Sequence, residues 1–137
     1  MNLVEGEMRA NRTKTIFVLC VSFVLFFFKF TANAQTIKIS IADIYANPNK
    51  YDWKMVQVEG KVLSLKSKIC KKGNYTTLEL DDNSGKSLTI FSYGHFPIKQ
   101  GDKVKVTGIY KKVIHVPPRY TFYNEIDATR GSIEKLK

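Results

Sequence analysis

Side chains able to do chemistry are few in this 137-residue chain. The two histidines, His95 and His115, are far apart in sequence and both fall in stretches that read as loops. Cys70 lies among Lys68, Lys71 and Lys72, but no base accompanies it as nucleophilic catalysis requires. Past the amino-terminal apolar run Cys70 is the only cysteine, so zinc-ligand spacing is missing and no internal disulfide can form. Asp81 and Asp82 are adjacent, yet they precede Asn83-Ser84-Gly85, where acids suit a turn. Arg119 and Arg130 alone do not supply the acids and arginines that a metal-bound phosphate needs for hydrolysis. The expectation is a protein without catalysis, metal or cofactor.

Recognition chemistry is better represented. From Tyr75 to Asp81 the residues alternate, with Thr76, Leu78 and Leu80 on one face and Tyr75, Thr77 and Glu79 on the other. After the Asp-Asn-Ser-Gly turn, Leu88 and Ile90 continue the apolar face, while Thr89, Phe91 and Tyr93 continue the other. The first set explains a core. The second leaves three aromatic rings with no core reason, unless the 93–102 connector folds over them.

The positioning elements start after the amino terminus. Thr15 to Phe28 is almost uninterrupted apolar sequence, preceded by Arg9, Arg12 and Lys14 and followed by Ala32-Asn33-Ala34. A basic head, an apolar run too short to span a bilayer comfortably and an Ala-x-Ala end predict a secretory signal over 1–34, cleaved after Ala34. Met8 offers a second possible start. The chain is then periplasmic or secreted, touching a membrane only through that signal. Loss of four basic and two acidic side chains with it lowers the net charge from +10 to +8. Lysine supplies 16 of the 18 basic residues that remain. That charge attracts polyanions without choosing among them, and lysine's point charge suits phosphate less specifically than arginine's fork.

Residues 35–54 read as a lead-in with one short helix. Ser40 N-caps it, Asp43 falls in the first turn, and Asn47-Pro48 ends it. Residues 55–137 read as five strands punctuated by glycine and proline. Val56, Val58 and Val62 share a phase that flips at Leu63 and Leu65, which predicts a bulge near Gly60 and one strand pairing on two sides. Ser67–Gly73 reads as a basic loop, and Ile114–Arg119 as a stiff loop that Pro117-Pro118 keeps out of the sheet. Val104, Val106, Gly108 and Tyr110 form an inward set, as do Phe122, Ile126 and Ala128. Gly131 allows a kink before Ile133 and Leu136 return to the core. This is an all-β fold, a small closed barrel with a short amino-terminal helix.

Val-Gln-Val-Glu-Gly-Lys-Val (56–62), Tyr-Thr-Thr-Leu-Glu-Leu-Asp-Asp-Asn-Ser-Gly (75–85) and Gly-Asp-Lys-Val-Lys-Val-Thr-Gly (101–108) together resemble the OB-fold, a five-stranded Greek-key barrel. They are most similar to OB domains of the tRNA-anticodon-binding and single-strand-binding type. The lead-in helix with Asn47-Pro48-Asn49-Lys50-Tyr51 resembles exported bacterial OB proteins. Tyr93-Gly94-His95-Phe96-Pro97 with 101–108 also resembles the haem chaperone of cytochrome c maturation. The 127–137 tail holds no histidine, so that family's haem-attaching residue is not carried over.

The OB resemblance implies a ligand face on the second and third strands, flanked by the loops after the first and fourth. On this sequence that face is Tyr75, Thr77, Thr89, Phe91 and Tyr93. Lys66, Lys68, Lys71 and Lys72 flank one side, and Lys111, Lys112, Arg119 and Tyr120 the other. Aromatics beside cations suit single-stranded nucleic acid or another extended polyanion. The alternatives are a haem or small-ligand carrier and a module that binds a protein partner.

Overall fold

The computed structural model describes residues 34–137. The signal over 1–34 therefore lies, but for Ala34, outside the described residues. The chain runs β1 (Ile37–Lys38), α1 (Ile41–Ala46), α2 (Pro48–Tyr51), β2 (Met55–Cys70), β3 (Gly73–Asp81), β4 (Ser87–Tyr93), β5 (Lys103–Val116) and β6 (Tyr120–Lys135). One sheet has the order β1-β2-β3-β4-β6-β5, and β5 returns to pair with β2. All neighbours are antiparallel except β1 with β2 and β4 with β6. A meander of three strands, a crossover and a closing parallel pair make an OB-like barrel. Six strands appear where five were expected, because the lead-in pairs Ile37 beside Val56 as a two-residue edge strand.

Closure depends on β2, which is long enough to serve two neighbours. Met55–Lys61 pairs with β5, Lys61–Cys70 pairs with β3, and the register slips between Val62 and Ser64. The expected bulge is there, at Leu63. Gly60 is where the strand coils over β3, since a Cβ there would lie 2.5 Å from the Asp81 carbonyl oxygen. Val56, Val58, Val62, Leu78, Leu80, Leu88, Ile90, Val104, Val106, Tyr110, Ile126 and Ala128 fill the interior, as the alternation predicted.

α1 is too short to hold itself together. The Ser40 Oγ accepts from the Asp43 N–H at 3.1 Å and donates to the Asp43 carboxylate at 2.7 Å. Ile41 and Ile44 are fully buried in the barrel core. Asp82 accepts from the Ile41 N–H at 2.7 Å, and the Tyr45 hydroxyl donates to the Ser87 carbonyl at 2.6 Å. One of the two turn acids thus also fastens the lead-in helix to the β3–β4 turn. At the other end of β4, Ile98 of the connector packs against the core, and the connector bonds to β2 through Gly101 N–H to the Val62 carbonyl at 2.8 Å.

Three sequence readings are overturned. Ser67–Cys70 belongs to β2 and Ile114–Val116 to β5, so both segments taken for loops are hairpin arms that continue the barrel strands. Polar and cationic residues hid the first arm, and Pro117-Pro118 forms the turn of the second without ending its strand early. Phe122, placed with the core by its phase, is 46% exposed, because that phase has no interior once β6 leaves the barrel.

Candidate functional site

The strands place the outer face by register alone. Lys68 stands opposite Tyr75 and Tyr75 opposite Tyr93, while Lys66, Thr77, Phe91 and Asp127 form the next row. A third row follows with Thr89, Glu125 and Lys111. Phe91 is the middle ring, 5.7 Å from Tyr75 in a tilted contact and 5.3 Å from Tyr93 edge-on. Tyr93 is 45% exposed, while Tyr75 and Phe91 are half-buried.

The β5–β6 arm makes a second wall. Ile114 pairs with Phe122 and Val116 with Tyr120, so four apolar side chains share one face, and the Tyr120 and Phe122 rings stack at 6.5 Å. Between this arm and the β2–β3 arm lies a groove of about 620 Å³. Lys66, Lys68, Tyr75, Thr77, Thr89 and Phe91 line one side. Lys111, Ile114, Val116, Phe122, Glu125 and Asp127 complete the lining. That is the size of a cleft for several aromatic groups, well beyond a single ion.

The residues expected at the site divide accordingly. Lys68, Tyr75, Thr77, Phe91 and Lys111 line the groove, and Tyr93 extends the aromatic row at its edge. Lys71 and Lys72 are exposed at the turn of one arm, and Arg119 and Tyr120 at the turn of the other. Lys112 is not brought in. Its N–H donates to Asp52 at 2.8 Å and its ammonium to Asn49 at 2.8 Å, on the side of α2. Lys111 is present but engaged, with its ammonium 2.7 Å from Asp127 and 5.0 Å from the Trp53 ring centroid. Among the described residues, Lys66, Lys68, Lys71, Lys72 and Arg119 make no ion pair and are the cations free to meet a ligand.

Ile114, Val116, Phe122, Glu125 and Asp127 were missed. The two acids could have been found, since they occupy the phase opposite Ile126 and Ala128. The three apolar residues could not, because alternation stops distinguishing inside from outside on an arm that has no interior. His95 is exposed in the connector, and His115 on β5 shares a hydrogen bond with the Thr121 hydroxyl, at 3.1 Å from Nδ1. No group of three or more histidine, cysteine or acidic side chains placed to hold a metal ion is found among the described residues.

The two groove acids differ sharply. Desolvation acts to raise the Asp127 carboxyl, but hydrogen bonds from Lys111 and Thr129 outweigh it and hold the group below the ordinary range. Glu125 has no such bonds. Burial first, then the neighbouring Asp127 charge, pushes it up to about 7, with Lys111 offsetting only part. A carboxyl raised from 4.5 binds its proton more tightly folded than unfolded. Its favourable contribution is therefore full below about 4.5 and lost as pH rises through about 7. Urea unfolding at pH 5 and pH 8 should show the native protein losing about 1–2 kcal/mol more than Glu125→Gln across that window, after discounting for solvent that still reaches the group. Asp82 and Asp127, both held low, finish titrating below the window.

No protein-family model and no curated protein matches the chain. Solved structures do. The crystal structure of yeast Stn1 and Ten1 aligns at TM-score 0.55 and 14% identity, covering 78% of this chain and 66% of that one. A putative aspartyl-tRNA synthetase from Leishmania major Friedlin aligns at TM-score 0.51 and 15% identity, covering 77% of this chain and 22% of that one. The Plasmodium falciparum SSB complex with ssDNA aligns at TM-score 0.44 and 17% identity, covering 61% and 94%. The chain thus spans two thirds or less of the first two neighbours' length. At such identities the first two likenesses concern the fold, and they agree with the barrel topology described above.

Proposed function

We propose that the protein is an exported binding protein without catalytic activity, whose outer face holds single-stranded nucleic acid or another extended polyanion. The observation that carries this reading is the partly exposed row of Tyr75, Phe91 and Tyr93, beside a groove that Phe122 also lines and whose rim bears unpaired cations. A purely cationic surface would suit any polyanion. Aromatic rings on that face add a reason to favour one that carries bases, each base–aromatic stack contributing about 1–3 kcal/mol. The two arms with Lys68, Lys71 and Lys72 on one and Arg119 on the other would follow the phosphates on either side of the stacked bases. Export is supported by the sequence pattern ending at Ala34.

Fluorescence anisotropy with a single-stranded oligonucleotide across a salt series tests the binding. Each phosphate neutralised lowers the slope of log K against log salt by about 0.7, so the four or five rim cations should give a slope near −3. Absent binding, or binding indifferent to salt, overturns the reading. Intact mass of the exported protein should begin at Gln35, and a species retaining the apolar run would contradict export.

A further inference from the structure

Resting on the nucleic-acid reading, we propose that Glu125 reads the exocyclic amino group of a base seated in the groove, so that the site favours cytosine over thymine. Glu125 lies on β6 between Thr89 of β4 and Lys111 of β5, in the lining shared with Phe91, Ile114 and Phe122. The two charged groups beside it on the sheet, Lys111 and Asp127, both have partners. The Lys111 ammonium is held by Asp127 Oδ2 at 2.7 Å. The remaining oxygen, Asp127 Oδ1, accepts from the Thr129 hydroxyl at 2.6 Å and from the Thr129 N–H at 3.1 Å.

Glu125 receives no hydrogen bond from any described side chain or backbone N–H; its neighbour Lys111 turns to Asp127 instead. The half-buried carboxylate still meets solvent, so a base amino group can replace water there without displacing a protein partner. Burial nonetheless raises its proton affinity. A base seated against Phe91 or Phe122 would share the groove with this carboxylate. Cytosine offers an amino group at N4, which a carboxylate accepts, whereas thymine offers the O4 carbonyl, which it repels. Glu125 therefore acts as a specificity residue, while the aromatic rings supply affinity without regard to base.

Binding of oligo-dC and oligo-dT of equal length, at low salt and pH 8, isolates the effect because charge and chain length are the same. The native protein should bind oligo-dC about five- to tenfold tighter, as expected for one edge contact. Glu125→Gln keeps the size and adds a donor that thymine O4 can use, so the ratio should fall to within twofold while both oligomers stay bound. Equal binding of the two by the native protein, a preference for oligo-dT, or an unchanged ratio in Glu125→Gln would overturn the assignment alone. If neither oligomer binds, the nucleic-acid reading falls and this assignment with it.

Discussion

Phe91→Ala is expected to weaken binding of a single-stranded oligonucleotide about ten- to hundredfold, with little change in folding stability. Phe91 is the ring that both other members of the row touch, Tyr75 at 5.7 Å and Tyr93 at 5.3 Å. Its removal deletes one stacking platform and frees the other two to move. One lost base–aromatic stack corresponds to about 1–3 kcal/mol, which sets the range. The ring lies on the outer side of β4, whose inner residues Leu88, Ile90 and Ser92 carry the packing. Isothermal titration or anisotropy measures the first effect, and a urea midpoint the second. A variant that binds normally would remove the aromatic row from the account.

The largest effect on stability is expected at a glycine. Between Thr107 and Ile109 of β5 the register with β6 jumps, so that residues 128–131 face Gly108 alone. The backbones approach so closely there that a Cβ on Gly131 would overlap the Thr107 carbonyl, and one on Gly108 would lie 2.5 Å from the Asp127 carbonyl oxygen. Neither obstacle is a flexible side chain that could swing aside. Gly131→Ala should therefore cost about 2–4 kcal/mol, comparable to a severe core substitution. Urea unfolding of Gly131→Ala checks this, and a loss under about 0.5 kcal/mol would show that the strands can part there at little cost.

How far the sequence revealed this follows from where each residue has an inside. In the barrel, alternation is enforced by burial. Val56 and Val58, Leu78 and Leu80, Leu88 and Ile90, and Val104 through Tyr110 all went where the pattern placed them. The bulge after Val62 was legible for the same reason, as a break in that alternation. Gly131 was read as a kink, and β6 does resume with Ile133 packed on the core. The tightness of its approach to Thr107 was not legible, because it depends on a strand paired from far along the chain.

The arms were illegible for the opposite reason. Beyond the barrel, β2, β5 and β6 have two exposed faces, so Ser67 and Lys68 read as loop and Phe122 as core. The candidate site is built half on each kind of segment. Tyr75, Thr77 and Phe91 came from the barrel and were named in advance, whereas Ile114, Val116 and Phe122 came from an arm. Charge counting erred differently, since Lys111 and Lys112 are both cationic in sequence and both engaged by neighbours in the fold.

The central claim is that the aromatic face, and not lysine charge alone, holds the ligand. Measuring oligonucleotide affinity of the native protein and of Phe91→Ala at each point of one salt series separates the two. The account predicts two lines of log K against log salt with the same slope, offset by about ten- to hundredfold, because stacking is lost while the phosphate contacts persist. Coincident lines would contradict it, showing that charge does the binding and that the face formed by Tyr75, Phe91 and Tyr93 serves something else.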